Sequence, residues 1–211
     1  MLSARPSGYL WVTWLVGLLA GEDHCAWAAW LRAHYQYTKR PDENPDGLSR
    51  WKAAHDDLVK RRARELLALG WLVDVEGQNK ITVQGRTTVG GQPDIVATLK
   101  NQVLVSDCKT GSRKHKDLWQ VRVYMGLLPH AKPLLCKGRD IIGEVEYPDG
   151  RVTVTLTPED WTRITEQIRL FGQGAEPPTS PSVSECRFCN ISECPDRVVV
   201  EVPVADAKGA F

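Results

Sequence analysis

Two aspartates near the middle of the chain have the spacing of a metal site on a β-hairpin. The apolar, β-branched runs 94–99 and 102–107 flank Lys100-Asn101, which predicts a tight antiparallel hairpin. If those two residues form the loop, Asp94 lies opposite Asp107. Facing carboxylates repel each other, but a hard divalent cation such as Mg²⁺ binds carboxylate oxygens and turns the repulsion into attraction.

A lysine completes this group. Lys109 lies two residues after Asp107, so strand periodicity places both side chains on one face and Cys108 on the other. Two acids and a lysine therefore converge on one spot. This is the outline of a metal-dependent phosphodiesterase site.

These residues resemble the motif of the PD-(D/E)XK nuclease superfamily. Pro93-Asp94 matches the first half of that motif, and Asp107-Cys108-Lys109 matches the second. The resemblance implies that Asp94, Asp107 and the backbone carbonyl of Cys108 hold Mg²⁺ or Mn²⁺. It also implies that Lys109 orients or activates the attacking water, so the expected catalytic residues are Asp94, Asp107 and Lys109.

Gln120 and Tyr124 extend the resemblance to the RecB-like branch of the superfamily. They lie four residues apart in a predicted helix, 117–128, and therefore share one face. They match the Q-x-x-x-Y element of that branch, and Thr110-Gly111 matches the pair that follows its lysine. Members of the branch act on DNA ends and single strands, which implies that Gln120 and Tyr124 bind DNA. The alternative interpretation of Gln120 is an exposed polar residue, and that of Tyr124 is an aromatic residue of the core.

His55 is the candidate for a further metal ligand. Ser49 predicts the start of a helix that Gly70 ends, and His55 lies within it. The RecB-like branch carries a metal-binding histidine on a helix upstream of the hairpin, so the resemblance gives His55 that role. A lone histidine on a helix is otherwise a surface residue or a satisfied core residue.

A basic turn follows Lys109. Arg113 and Lys114, together with Lys116, lie just after the lysine of the motif. Contact with the DNA backbone and plain solvation are the two interpretations of this turn.

Three closely spaced cysteines near the C-terminus indicate a metal or cluster site. They are Cys186, Cys189 and Cys194, and a site of this kind needs a fourth ligand. The chain resembles the iron–sulfur nucleases of CRISPR adaptation and helicase–nuclease repair, which use one upstream cysteine, so the resemblance implies Cys25. It also implies a [4Fe–4S] cluster that joins the two ends of the chain. Zn²⁺ is the alternative, because thiolates alone do not identify the metal.

Two features qualify the cysteine assignment. Cys108 lies in the predicted active-site strand and Cys136 in a predicted core strand, 134–137, so both are poorer ligand candidates. The last two cysteines of the trio are separated by four residues, where the family often has five.

Composition indicates an ordinary intracellular protein. The chain has 211 residues, 42% of them hydrophobic, and a net charge of +1, so any nucleic-acid surface must be a local patch. The cysteine spacing favours a reduced compartment, the cytoplasm, over a secreted disulfide framework. The apolar stretch 9–20 is too short to span a bilayer and predicts a buried helix, with no membrane association.

The expected fold is an α/β, restriction-endonuclease-like mixed β-sheet flanked by helices, with a cysteine-ligated lobe joining the N- and C-terminal segments. Within a single domain, 1–211, the predicted parts are an N-terminal helical segment (1–48), a nuclease core (49–171), a linker (172–185) and a C-terminal cysteine segment with a tail (186–211). Strands are predicted at 71–76, 80–84, 141–147, 151–156 and 198–204, and helices at 27–37 and 158–171.

The expected function is a metal-dependent DNA nuclease, acting as an exonuclease on single-stranded or end-exposed DNA. The expected partners are DNA and a helicase or CRISPR adaptation proteins. The alternatives are a zinc-stabilised endonuclease and a catalytically idle DNA- or partner-binding module. Intact Asp94, Asp107 and Lys109 argue against the idle module.

Overall fold

A computed structural model describes residues 2–41, 45–75 and 77–199. The strands are β1 (Ser3–Ala4), β2 (Gly8–Trp11), β3 (Tyr35–Gln36), β4 (Leu72–Val75), β5 (Ile81–Val83), β6 (Thr87–Gly91), β7 (Ile95–Leu99), β8 (Gln102–Cys108), β9 (Asp140–Tyr147) and β10 (Gly150–Val154). The helices are α1 (Val16–Ala20), α2 (Ala26–His34), α3 (Pro45–Ala68), α4 (His115–Ala131), α5 (Pro133–Cys136), α6 (Pro158–Gln173) and α7 (Val183–Phe188), with a 3₁₀ turn at Val12–Trp14.

The main sheet contains the predicted hairpin. Its strand order is β10-β9-β8-β7-β4, and within the hairpin Leu99 pairs with Gln102 and Ile95 with Ser106. Lys100, in the two-residue loop, has a φ of 52°, as a tight hairpin turn requires. β8 then runs parallel to β9, with α4 in the connection between them. The mixed α/β architecture and the hairpin register are therefore as predicted.

A second sheet departs from the prediction. Its order is β2-β6-β5, so the strand predicted at 80–84 joins neither β4 nor the hairpin. The stretch 9–20, predicted to be one helix, instead forms β2, the 3₁₀ turn and α1. A short, continuously apolar run is compatible with a buried strand and with a buried helix, and periodicity alone does not distinguish them.

Glycine allows the second sheet to lie close to α4. A Cβ atom on Gly91 of β6 would lie 2.6 Å from the Tyr124 ring and 2.7 Å from the Val12 side chain. A larger residue would therefore push β6 away from α4, which carries Gln120.

Several predicted boundaries are wrong. α3 begins at Pro45 rather than at Ser49, and the predicted strand 134–137 is the short helix α5, which has a proline in its first turn, a position that proline favours. The predicted linker 172–185 overlaps α7, whose first turn is capped by the Ser182 side chain. Val198 and Val199 do not form a strand, and the rest of the predicted strand 198–204 lies outside the described residues.

Helices cover both faces of the main sheet. Val103 and Val105 of β8 belong to the larger core, with α4 and the N-terminal elements. Leu104 and Cys108 belong to a smaller core with α3. This alternation follows from the two-residue period of a strand, and it also fixes the faces on which the polar residues at the end of β8 lie. Among the described helices, none is long and apolar enough to cross a membrane.

Candidate active site

Asp94 is held at the open end of the hairpin. Its Oδ2 accepts a 2.6 Å hydrogen bond from the backbone N–H of Cys108 and lies 3.2 Å from Nε2 of His55. The Asn79 side chain donates to the backbone carbonyls of Asp74 (2.7 Å) and Asp94 (3.3 Å). These two hydrogen bonds connect β4 to Asp94. Four chain segments therefore meet at Asp94.

Asp107 and Lys109 form a second group with the helix α4. Asp107 is 1% exposed, and its Oδ2 lies 2.6 Å from Nζ of Lys109. The Gln120 amide connects the two, because its Nε2 donates to Asp107 Oδ1 (3.1 Å) and its Oε1 accepts from Lys109 Nζ (3.0 Å). Gln120 Nε2 also donates to the Tyr124 hydroxyl (3.2 Å), which in turn donates to the carbonyl of Gln92 (3.2 Å).

Burial determines the electrostatics of this group. Burial raises the pKa of Asp107 to about 7; the Lys109 ammonium opposes the shift and the Asp94 charge adds to it. For Lys109 burial alone would lower the pKa, but the Asp107 carboxylate more than offsets this and the net shift is upward. The neighbouring carboxylate therefore favours the ammonium form of Lys109. Burial also raises the pKa of Tyr124, so its hydroxyl remains a neutral donor.

The structure brings His55 to the site from α3. The side chain is buried, and its ring stacks on Trp51 with the centroids 5.3 Å apart and an angle of 28° between the planes. Trp51 itself is 53% exposed. Its position one helical turn before His55 is the signal that could have linked it to the site. Asn79 carries no comparable signal in the sequence.

A cleft of about 340 Å³ opens beside this group. We call it the Lys109 cleft; its walls include Trp51, Lys109, Ser112, Lys114, Lys116 and Gln120. Arg113 lies outside that wall: its guanidinium is 3.1 Å from Asp149 and lies over the Tyr147 ring, 5.1 Å from its centroid. Of the predicted basic turn, Lys114 thus faces the cleft, whereas Arg113 is paired with Asp149.

The four predicted cluster cysteines meet at a separate cavity of about 490 Å³. We call it the cysteine cavity; its walls include Cys25, Cys186, Cys189 and Cys194, all with free thiols. Glu185 of α7 accepts hydrogen bonds from the N–H groups of His24 (2.6 Å) and Cys25 (3.2 Å), which joins the N- and C-terminal segments. Cys108 lies in β8 and Cys136 in α5, away from this wall.

Guanidinium groups lie beside these thiols. Arg32 reaches within 3.9 Å of the Cys189 sulfur, and Arg197 donates to the carbonyls of Cys186 (2.5 Å) and Cys189 (3.1 Å). Burial raises the pKa of the Cys194 thiol, and Arg197 only partly opposes this shift. Cysteine sulfur is nevertheless a soft ligand of the kind that Zn²⁺ and iron–sulfur clusters take. The donor set therefore suits a thiolate-ligated metal or cluster.

Neither site contains a ready-made metal cage. In residues 2–41, 45–75 and 77–199, no three histidine, cysteine, aspartate or glutamate side chains are arranged to hold a metal ion. At the first site, Asp94 is bonded to a backbone N–H and Asp107 to an amide. The hard oxygen donors of the two buried carboxylates nevertheless match the chemistry of Mg²⁺ and Mn²⁺.

The chain is similar to solved structures of other proteins. Similar solved structures include SSO0001, with 14% identity over 93% of this chain and 91% of that chain and a TM-score of 0.46. They also include the alkaline exonuclease LHK-Exo from Laribacter hongkongensis, with 14% identity over 78% of this chain and 86% of that chain and a TM-score of 0.47. A search of curated protein sequences found no match.

The family comparison is decisive. A model of the PD-(D/E)XK nuclease superfamily matches residues 16–194, a range that contains His55, Asp94, Asp107, Lys109 and Gln120. Since this match spans most of the chain, the chain belongs to the PD-(D/E)XK nuclease superfamily.

Proposed function

We propose that this chain is a single-domain, metal-dependent DNA nuclease that hydrolyses phosphodiester bonds, acting as an exonuclease on single-stranded or end-exposed DNA. The observation that carries the proposal is the convergence of Asp94, Asp107 and Lys109 at one end of the hairpin, with Gln120 bonded to both Asp107 and Lys109. Membership of the superfamily supports the same chemistry.

The metal would be Mg²⁺ or Mn²⁺, held by Asp94, Asp107, the backbone carbonyl of Cys108 and His55. When bound, such a cation lowers the pKa of a coordinated water and stabilises negative charge on the transferring phosphoryl group. The nearness of His55 to Asp94 supports this assignment. The raised pKa of the buried Asp107 carboxyl supports it too, because a nearby cation stabilises the charged form of a buried carboxyl group.

Lys109 would stabilise the charge that develops at the phosphate, since its pKa is raised and it is cationic. Gln120 would hold Lys109 and Asp107 at a fixed separation, and Tyr124 would hold Gln120. Because Gln120 and Tyr124 are both buried, they would orient the DNA strand through Lys109 and Asp107. Lys114 would contact the DNA backbone at the mouth of the Lys109 cleft, and Arg113 would do so after leaving Asp149.

The cysteine cavity would hold a structural [4Fe–4S] cluster through Cys25, Cys186, Cys189 and Cys194, with Zn²⁺ as the alternative. Support comes from the four free thiols on one wall of the cavity. The cluster would fasten the C-terminal segment to α2 rather than carry electrons. Free thiols also support a cytoplasmic setting, where a helicase or CRISPR adaptation proteins would be the partners.

A nuclease assay tests the proposal. The purified protein is incubated with Mg²⁺ or Mn²⁺ and end-labelled DNA that is linear single-stranded, linear duplex or circular single-stranded. We expect metal-dependent cleavage of the linear single strand and none of the circle, and no cleavage by the Asp107→Asn variant. Cleavage of the circle would establish the endonuclease alternative. DNA binding without cleavage of any substrate would establish the idle module.

A further inference from the structure

Trp51 is an exposed aromatic residue at the Lys109 cleft. It is 53% exposed, it forms part of the same wall as Lys109 and Gln120, and one side of its ring system stacks on His55. Leaving a large aromatic side chain half in water forgoes much of the stabilisation that its burial would bring.

The packing of α3 does not require a tryptophan at this position. The helix is attached to the main sheet through a core that contains Leu58, Val59, Ala63 and Leu66, and Trp51 belongs to neither hydrophobic core. The contact with His55 accounts for only part of the indole surface. About half of the side chain faces solvent beside the catalytic group.

The charges around Trp51 fit a nucleic-acid strand. Lys109, Lys114 and Lys116 share the cleft with it. Asp23 and Asp117 also lie on the wall, and Nζ of Lys116 is 3.8 Å from Glu22. Ammonium groups next to an exposed aromatic face are the combination that binds single strands, because the cations follow the phosphates while the aromatic ring stacks on a base. The bases inside a duplex are already stacked on both faces, whereas an unpaired base can offer a free face at any position along the strand.

The position of Trp51 relates such a base to the scissile bond. The Trp51 ring stacks on His55, and His55 Nε2 lies 3.2 Å from Asp94. A base on the outer face of the indole would therefore stack on Trp51, which itself stacks on His55, and His55 lies beside the Asp94 carboxylate. We propose that Trp51 is the stacking platform for an unpaired nucleobase of the DNA strand, next to the phosphate that is cleaved. This inference rests on the proposed nuclease function.

Binding measurements test the platform. Fluorescence anisotropy follows a labelled, short single-stranded oligonucleotide in EDTA, where no divalent cation supports cleavage. We expect Trp51→Ala to weaken binding of the single strand about tenfold and to leave binding of a blunt duplex unchanged. Trp51→Phe should retain most of the affinity, because a smaller aromatic ring still stacks. The matched control is Leu67→Ala, which removes another exposed apolar side chain of α3 (56% exposed) far from the cleft.

A second measurement changes the DNA instead of the protein. Oligonucleotides that carry one abasic site at successive positions should bind wild-type protein normally except at one position, where affinity falls by a similar factor. Trp51→Ala should not distinguish that oligonucleotide from the intact strand.

The inference would be overturned if Trp51→Ala bound the single strand as tightly as wild type does, or if it lost the same factor of affinity for single strand and duplex. It would also be overturned if no abasic position lowered the affinity of wild-type protein. In each of these cases wild-type cleavage would persist with Mg²⁺ or Mn²⁺, so the proposed function would stand. A wild-type protein that neither binds nor cleaves DNA would overturn both.

Discussion

At the scale of single residues, Lys109 and Asp107 have separable roles. Lys109 is held between a carboxylate and an amide oxygen, so Lys109→Ala removes a cation without removing a metal ligand. We expect both Lys109→Ala and Asp107→Ala to lower kcat at least 10²-fold, the scale of losing one transition-state contact. Mn²⁺ affinity, measured by calorimetry, should fall only in Asp107→Ala. The exposed Lys137→Ala variant is the control for nonspecific charge loss; normal cleavage by either site variant would contradict the assignment.

The raised pKa of Asp107 predicts a pH dependence. Burial raises this pKa to about 7, whereas an aspartate in an unfolded chain has a pKa of about 3.9. A carboxyl whose pKa is higher in the folded than in the unfolded state binds its proton more tightly in the folded state. Without metal, the contribution of this group to the free energy of unfolding therefore falls as the pH rises from about 4 through about 7. Metal binding requires the ionised form, and a metal that binds only the folded state stabilises it.

The increase in Tm caused by Mg²⁺ should therefore be larger at about pH 8 than at about pH 6. Differential scanning fluorimetry with and without Mg²⁺ measures this increase. The Asp107→Asn variant keeps the shape of the side chain but does not titrate, so its response to Mg²⁺ should be small at both pH values. A wild-type response that is equal at both pH values would place the metal away from Asp107.

The residues of the motif could be predicted from the sequence because their arrangement is local. A two-residue loop and the alternation of a strand fix the relative positions of Asp94, Asp107 and Lys109. Whether a face of α3 meets the core or the cleft depends instead on where distant segments fold, so the exposed position of Trp51 beside the site does not follow from the spacing of apolar residues along the helix. The role of Asn79 depends on a turn whose geometry the sequence does not specify.

At the scale of secondary-structure elements, a buried ion pair attaches α3 to the main sheet. Arg62 donates to both carboxylate oxygens of Glu144 on β9, at 2.7 and 3.0 Å, and both side chains are buried. Arg151 of β10 donates a 2.8 Å hydrogen bond to the Glu65 carboxylate of α3, which extends the network to β10. Because α3 also carries His55, this network positions a residue of the site as well as the helix.

Removing one partner of the buried pair should be costly. Arg62→Ala leaves the Glu144 carboxylate buried without its cation, so we expect a loss of about 3 kcal/mol in the free energy of unfolding. Urea denaturation monitored by circular dichroism measures this loss. Arg64→Ala changes an exposed arginine two residues further along the helix and should cost less than about 0.5 kcal/mol. Equal effects of the two substitutions would show that the pair does not hold α3.

The short elements were the hardest to predict. β2 is a strand because it pairs in parallel with β6, a segment nearly 80 residues later in the chain (Gly8 with Thr87), and no local pattern reveals that partner. The hairpin β9–β10 and helix α6, which begins with a capping box at Thr157 and Asp160, were predicted because their signals lie within a few residues of each other.

At the scale of the whole molecule, the cysteine cavity joins the two ends of the fold. If a cluster or Zn²⁺ occupies it, the binding free energy is folding free energy, on the order of 10 kcal/mol for structural zinc peptides. We expect Cys25→Ser and Cys189→Ser to lose the bound metal and to lower the Tm. Cys136→Ser is the matched control, because it changes another half-buried free cysteine outside the cavity.

Iron, sulfide and zinc analysis of anaerobically purified protein measures the metal. Iron and sulfide in wild type and Cys136→Ser, but not in Cys25→Ser, would support the [4Fe–4S] proposal. Stoichiometric zinc without sulfide would favour the alternative. Full occupancy in Cys25→Ser would show that the fourth ligand lies elsewhere.

The contact between the first and last described segments also has a consequence for synthesis. The Ser192 hydroxyl donates to the Thr38 carbonyl (2.8 Å) across 154 residues of sequence, and the Trp27 and Trp30 indoles donate to acceptors on residues 176 and 174. At about 5–20 residues per second, a ribosome needs roughly 8–30 s to make that much chain. Throughout this time α2 has β2 beside it, but the indole N–H groups of Trp27 and Trp30 lack their acceptors on residues 176 and 174. We therefore expect these two tryptophans to reach their final burial only when the last part of the chain has been made.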